Sequence, residues 1–395
     1  MGDLRSATAH RQFLSEEARR LTALTKTARV PGGFGWLDES CHVSPGDIHL
    51  WITARMTHVA GLAMLVELEG PDQEAVLAHG VEALLDGPLC DHEYGGWFSR
   101  TGAAGSVDQD KQAYDHAFVV LAASTAVAAG TPRSDELLGK ALDVFDERFW
   151  DPDAAMVVET WDRQFSVLAD YRGVNANMHA VEALLAAYDV TGDAELRARA
   201  SSVAERVVGM ARANDYRIPE HADQDWVPDL EYNADRPADQ FRPYGATVGH
   251  GLEWSRLLVQ LDVAHLDDAR HLYDRAVADG WAVDEAPGFV YTTDWGGKPV
   301  TRTRMHWVCC EAILAASTLA EVTGDERYEA DYDRWWEFAQ QHLIDPVRGS
   351  WHHELDERNR PASSTWRGKP DLYHAVQACL LPSRPLAGSA ARALR

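Results

Sequence analysis

The chain has 395 residues, 46% of them hydrophobic, and a formal net charge of −25. That apolar content supports a sizeable buried core, and the acidic balance argues against a polyanion partner, because phosphate backbones are held by basic faces. No run of about 18 apolar residues occurs, so no membrane-spanning helix is predicted. The opening MGDLRSATAHR lacks the apolar stretch of a secretory leader. Gly2 and Ser6 fit the loose N-myristoylation pattern, which is too short to outweigh chance. The five cysteines (Cys41, Cys90, Cys309, Cys310 and Cys379) form no C-x-x-C pair and no even framework. Reduced, buried thiols in a cytoplasmic protein are expected.

In chain order, GGFGW (32–36) comes first. It lacks the strand–helix setting and third glycine of a dinucleotide fingerprint, so no nucleotide site is read there. Six helical segments of similar phrasing follow, each with one histidine: RMTHVAGLAMLVEL (His58), AYDHAFVVLAASTAV (His116), NMHAVEALLAAYDV (His179), VGHGLEWSRLLVQL (His250), MHWVCCEAILAASTL (His306) and LYHAVQACLLP (His374). They recur about every sixty residues, which is the mark of a repeat architecture. More charged helices are predicted over 133–150, 193–213, 266–281 and 325–343, as an outer layer. Between these and the next histidine helix lie hairpin-like pieces: YGGWFSRTGAAG (94–105), MVVETWDRQFSV (156–167), GFVYTTDWGGKPV (288–300) and GSWHHELDERNRP (349–361).

The unit is thus inner helix, outer helix, hairpin loop. Six such helical hairpins closing in a ring give an all-α (α/α)6 barrel with short β-hairpins at one rim, read as one catalytic domain over 1–395. All six histidines are expected near the N-terminal ends of inner helices, at that rim. The acidic excess is expected on helix surfaces. Aligning EAILAA after Cys310 with EALLAA after Met178–Val181 puts Glu311 with Glu182, and Val308 in the layer of His179.

Asn175, His179 and Glu182 run as a polar line, at spacings of four and three, beside an apolar stripe of Val181, Leu184, Leu185 and Tyr188. Gly192 and Asp193 suit the end of that helix and the start of the next. The polar line is expected to face the barrel mouth. Trp51 and Arg55, four apart, share a face, and an aromatic ring beside hydrogen-bonding groups suits a sugar. His250 and Glu253, three apart, form a second pair, in which the carboxylate orients the imidazole, while Gly249 and Gly251 leave room beside the ring. His374 follows Pro370 and Asp371, a helix start whose dipole favours the neutral imidazole that a general base needs. His250 and His374 are expected to face each other across the mouth with a hexose between them. His116 is expected to be structural, as are His58 and His306. His352–His353 with Glu354 has metal-ligand residue types but no H-E-x-x-H spacing, so no metal is expected.

The pieces WITARMTHV, DHAFVVLAAS, NANMHAVEA, FRPYGATVGHGLEW and GKPDLYHAVQA, in this order and spacing, resemble the N-acylglucosamine 2-epimerase superfamily, and within it the D-mannose isomerase and sulfoquinovose isomerase branch. The resemblance covers nearly the whole chain. It implies the same barrel, acid–base catalysis at sugar C1 and C2 by two histidines on opposite sides of the pocket, matching His250 and His374, and no metal or other cofactor. It implies substrate contacts at Arg55, Asn175, His179 and Glu311, with a further contact at Arg242 in FRPYG, while Trp51 and Glu253 lie in matching motifs. The reaction implied is aldose–ketose isomerisation of D-mannose or D-lyxose through a cis-enediol, with a 2-epimerase of N-acylglucosamine or cellobiose type and a sulfoquinovose isomerase as alternatives. An inverting glycoside hydrolase would need two opposed carboxylates, for which Glu93, Glu253, Glu311 and Asp371 are available. A non-catalytic sugar-binding protein is the remaining alternative. The partner expected is a free monosaccharide, with no nucleic acid and no membrane; whether the chain forms homo-oligomers is left open.

Overall fold

A computed structural model of the chain describes residues 5, 7–68, 73–102 and 105–395. The myristoylation pattern at Gly2 and Ser6, and positions 103–104 of the first expected hairpin, lie outside these. Helix α1 (Thr8–Ala28) is followed by five inner–outer pairs. They are α2 (Leu50–Leu65) with α3 (Gln73–Asp86), α4 (Ala113–Ala128) with α5 (Ser134–Arg148), α6 (Val174–Thr191) with α7 (Ala194–Ala213), α8 (Val248–Leu261) with α9 (Leu266–Gly280), and α10 (His306–Thr323) with α11 (Glu326–Phe338). Then come α12 (Tyr373–Leu380) and the short α13 (Ala390–Ala393). Each inner helix packs on the next, and α12 packs on α2, so α2, α4, α6, α8, α10 and α12 close a ring. The six-fold (α/α) barrel expected from the repeat is therefore present. Its sixth pair, however, is made of α12 and α1, from opposite ends of the chain. Neither α1 nor α3 was read from the sequence.

The inner helices are buried on all sides. In α6, Val174 and every residue from Ala176 to Ala187 are buried. The apolar stripe packs outward and the polar line turns to the barrel axis, so the amphipathicity of this segment does not mark a solvent face. Gly192 ends α6 at φ 73, and the Asp193 carboxylate accepts from the Glu195 N–H at 3.0 Å, both at the positions expected.

The rim fixes the register. Two-residue strands Ile48–His49, Lys111–Gln112, Arg172–Gly173, Ala246–Thr247 and Arg304–Met305 precede five inner helices, and each pairs antiparallel with a later hairpin. The first N–H of each helix then donates to the hairpin: Leu50 to Ser99, Ala113 to Glu159, Val174 to Glu220, Val248 to Tyr291 and His306 to His353. Counted from these equivalent starts, the second position holds Trp51, Tyr114, Asn175, Gly249 and Trp307. The sixth holds Arg55, Phe118, His179, Glu253 and Glu311. Glu311 thus shares the layer of His179, not of Glu182, and Val308 does not occupy that layer. The repeated small-residue phrase cannot set register, because a helix buried all round accepts it in any phase.

Two further expectations change. His58 lies two turns inside α2, away from the rim, with Nδ1 2.7 Å from Thr125 Oγ1. Part of the acidic excess sits in rim turns rather than on helices. Asp162, Asp223, Asp294 and Asp356 each accept two N–H groups of their own hairpin loop. All five cysteines are buried and unbridged. Among the described residues no helix is long and apolar enough to cross a membrane.

His116 is structural, as expected. Its Nδ1 lies 2.7 Å from the Gln112 carbonyl, and its Nε2 accepts from the Trp97 N–H at 3.2 Å. Burial pushes its pKa down to about 3. His116→Ala leaves that N–H unpaired beside a cavity, at an expected cost of about 2–4 kcal/mol. Urea unfolding should report this loss, while turnover per folded molecule stays close to wild type.

Candidate active site

The N-terminal ends of the inner helices surround a cavity at the rim that is open to solvent. Trp51 and Arg55 of α2, Tyr114 of α4, Asn175 and His179 of α6, His250 and Glu253 of α8, Trp307 of α10 and His374 of α12 reach its wall. These residues come mainly from the second and sixth helical positions, one turn apart, because only that line of each helix faces the axis. The polar line that begins at Asn175 therefore does face the mouth. Its third member, Glu182, lies one layer deeper and accepts from the Tyr373 hydroxyl.

His250 and His374 both reach the cavity, but not from opposite walls. Helix α10 stands between their helices, and the Trp307 indole lies 5.3 Å from the His250 ring and 5.7 Å from the His374 ring. The two imidazoles flank one tryptophan; Arg55 adjoins His374 through Asp371, whose Oδ2 lies 2.6 Å from Arg55 Nη1 and 3.9 Å from His374 Nε2, while Tyr114 and Asn175 reach the wall from α4 and α6. Gly249 is explained by the same indole, since a Cβ there would lie 2.3 Å from Trp307. At Gly251 a Cβ would lie 3.2 Å from Ala276 of α9. The room beside these glycines is taken by neighbouring helices, not left for a ligand.

The carboxylate that orients His250 is not Glu253. Glu220, at the end of the strand-bearing loop after α7, lies 2.9 Å from His250 Nδ1. Glu253 instead approaches His179 Nδ1 at 3.9 Å and Arg256 at 3.6 Å. His374 Nδ1 lies 2.8 Å from Glu311 Oε1, and the other Glu311 oxygen accepts from Arg256 Nε at 3.1 Å. Glu311 is fully buried beneath His374 rather than on the cavity wall where a substrate contact was expected. Burial drives the His374 pKa well below that of a free imidazole, the direction expected, although burial and not the helix dipole leads the causes. Burial likewise lowers His179 to about 4.

Arg55 Nη1 donates to Asp371 at 2.6 Å, Nη2 donates to the Tyr114 hydroxyl at 2.9 Å, and the guanidinium lies 4.1 Å from the centre of the Phe118 ring. Against the effect of burial, Arg55 keeps the Asp371 carboxyl ionised, below its ordinary range. Arg242 sits outside the cavity. It stacks on Tyr171 at 3.8 Å and lies 4.0 Å from Glu159 in the cleft that adjoins the mouth.

At the floor and beneath it, Glu182, Glu253 and Glu311 gather around Arg256. Burial and the charge of Glu311 raise the Glu253 pKa well above the usual carboxylate range, and burial raises Glu311 despite Arg256. His179, Glu182 and Glu253 could share a metal ion by composition, as could Glu253, Glu311 and His374, with ligand atoms within 4.8 Å of one another. Arg256, 3.0 Å from Glu311, already supplies a cation to this group. The His352–His353 pair is split: His352 lies 3.7 Å from Asp345, while His353 accepts from the Asp371 N–H at 2.9 Å and contacts the Trp351 carbonyl.

Sequence reading missed several wall residues. Tyr114 and Trp307 occupy the second helical position and were findable once helix starts were aligned. His306 also reaches the wall, with its ring stacked on His353 at 3.9 Å, so its expected purely structural placement is corrected. Glu220, Tyr291 and His353 come from hairpins, where no periodicity points at the axis.

Residues 32–378 match the N-acylglucosamine 2-epimerase (GlcNAc 2-epimerase) family. The chain is 49% identical to a D-mannose isomerase of Thermobifida fusca, over 98% of this chain and 97% of that protein. It is 46% identical to a D-mannose isomerase of Pseudomonas cannabina pv. alisalensis, over 98% and 95%. A crystal structure of a D-mannose isomerase superposes with a TM-score of 0.88 at 27% identity, covering 95% of this chain and 98% of the other. A rim that gathers histidines and an arginine around one cavity, on a barrel matched along almost all of its length, thus belongs to a sugar isomerase or epimerase, and the chain is a member of the N-acylglucosamine 2-epimerase family.

Proposed function

We propose that the protein is an aldose–ketose isomerase that converts free D-mannose to D-fructose, and D-lyxose to its matching ketose, within one catalytic domain spanning 1–395. The observation that carries this reading is the pair of imidazoles beside Trp307, each with Nδ1 held by a carboxylate, on one cavity wall with the Arg55 guanidinium. The likeness to proteins named D-mannose isomerase supports the choice of sugar.

The chemistry follows from these groups. The pyranose opens when O1–H loses its proton and O5 gains one. A neutral imidazole then removes the C2 proton of the open-chain aldose, and the electron pair forms the C1–C2 double bond of a cis-enediolate. Arg55, with Asn175 and His179, stabilises charge on its oxygens. Return of the proton to C1, with transfer of the O2 hydroxyl proton to O1, gives the ketose. Each acid–base group contributes about 10²–10⁴-fold. His374, neutral through burial, suits the base. His250, its side chain 12% exposed, suits proton exchange with solvent. Arg55 is committed to Asp371, so a neutral sugar fits the wall better than a sulfonated one. Trp51 offers an apolar face for the sugar, and Arg242 contacts substrate only from the outer cleft. Glu253 is part of the wall, and Glu311 acts beneath it. A glycoside hydrolase is disfavoured because the carboxylates near the cavity are tied to Arg55, Arg256 or histidine. Unbridged cysteines fit a cytoplasmic setting.

Proton NMR in D₂O with a panel of free aldoses tests the reading. Mannose should yield fructose with deuterium at C1. Glucose without ketose would establish a 2-epimerase instead, and binding without C2 exchange would establish a lectin-like role. The mechanism uses no metal, so turnover should persist after dialysis against EDTA. Loss of activity that added divalent cation restores would overturn that part.

A further inference from the structure

We propose that Glu220 is the positioning residue of His250: its carboxylate holds the Nδ1–H, and Nε2 is thereby the nitrogen presented to the sugar. The proposal rests on the isomerase reading. In an imidazole, the hydrogen bond made by one nitrogen decides which tautomer and which face the other offers. Glu220 Oε1 lies 2.9 Å from His250 Nδ1, and the Glu220 side chain is 4% exposed, so the contact is shielded from competing water. The other side of the ring borders the cavity and rests on Trp307.

The repeat shows that the fold does not require a carboxylate here. The hairpin residues whose carbonyls receive the first helical N–H are Ser99, Glu159, Glu220, Tyr291 and His353. The backbone contact is the same in all five units, yet three of the five side chains, Ser99, Tyr291 and His353, carry no carboxylate. Only the fourth unit has a histidine at the third position of the inner helix that follows its hairpin pairing; the others carry Ile52, Asp115, Ala176 and Val308. Among these five residues only Glu220, whose carbonyl meets α6, has a side chain described as hydrogen-bonded to an imidazole of the cavity wall, that of His250 on the next inner helix α8. Moreover, Glu220 Oε2 has no hydrogen-bond partner. A half-satisfied buried carboxylate costs stability, so its presence points to a role in the chemistry rather than in the fold.

The neighbouring residue ties this support to the rim. Next to Glu220, His221 Nε2 donates to the Pro243 carbonyl at 2.9 Å, and its Nδ1 accepts from the Tyr171 hydroxyl at 2.7 Å. Pro243 follows Gln240 and Phe241, which line the cavity. One short segment therefore fixes both the working imidazole and the loop over the mouth, so Glu220 has little freedom to move off the ring.

The test compares wild type, Glu220→Ala and Glu220→Gln on mannose, reading kcat, KM, C2 hydrogen exchange and melting temperature. Glu220→Ala should lower kcat and C2 exchange about 10–100-fold with KM changed less than about threefold, the range seen when an orienting partner is removed. Glu220→Gln keeps an oxygen acceptor for Nδ1–H and should recover part of that loss. Near wild-type kcat in Glu220→Ala overturns the proposal. So does a loss confined to KM, or one that tracks a fallen melting temperature and is equal in both variants. If wild type itself neither isomerises mannose nor exchanges its C2 hydrogen, the isomerase reading fails instead, a result distinct from any of these.

Discussion

His374→Ala is expected to remove isomerisation and C2 deuterium exchange together, by about 10³-fold or more, because the base and its fixed orientation are lost at once. The His374 ring bridges the cavity wall and the buried Glu311. His250→Ala should be comparably damaging, and the double variant should be little worse than either single one, since groups that act in one proton-transfer sequence are not additive. Circular dichroism and thermal melts separate this from unfolding: the ring of helices remains, and only one partner of Glu311 is lost. If both single variants kept near wild-type isomerisation and exchange, the proposed chemistry would be wrong whatever the fold.

Arg256→Ala should produce the largest loss of stability, about 3–5 kcal/mol at mildly alkaline pH. Arg256 is 2% exposed and lies against Glu311 at 3.0 Å and Glu253 at 3.6 Å. Removing it leaves buried carboxylates without their cation. The sign with pH follows from their direction of shift. Both Glu253 and Glu311 are already raised above the ordinary value of 4.5, and loss of Arg256 raises them further. A raised carboxyl favours the folded state while it is protonated, below its unfolded pKa, and that support fades as pH climbs through the folded pKa. The deficit relative to wild type should therefore be small near pH 5 and grow toward pH 8, read by thermal melts across that range. A deficit that does not change with pH would refute the assignment of charge in this cluster.

How much of this was visible in the chain depends on the kind of signal. The six-fold barrel was legible because each inner helix repeats a small-residue phrase around a histidine, and the caps at Gly192 and Asp193 obey local rules. Register was not, because helices such as α6 are buried on all sides and the same phrase fits any phase; the strand pairs before each helix decide it. His250 and His374 were placed at the cavity correctly, but the pairing of His250 with Glu253 was not. Two residues three apart on a helix look like partners, whereas the ring nitrogen is met by Glu220 from a hairpin thirty residues away. Glu311 was singled out, but the repeated phrase put it one layer too deep, and it supports His374 rather than lining the wall. Contacts that cross from hairpin to helix leave no period to read, and this site is built largely from them.

The barrel closes with α1 against α12, and this order has a consequence for synthesis. Leu14, Ala18 and Leu21 of α1 are buried, and α12, on which α1 packs, is made only after the five intervening pairs. At about 5–20 residues per second, that apolar face waits for tens of seconds. The nascent chain can stack its five inner–outer pairs one after another, yet it stays an open arc with a sticky first helix until the last pair forms. Removal of α1 and removal of α12 should thus both leave an open five-pair arc that recruits chaperones or self-associates, although all five pairs separate the two helices in sequence.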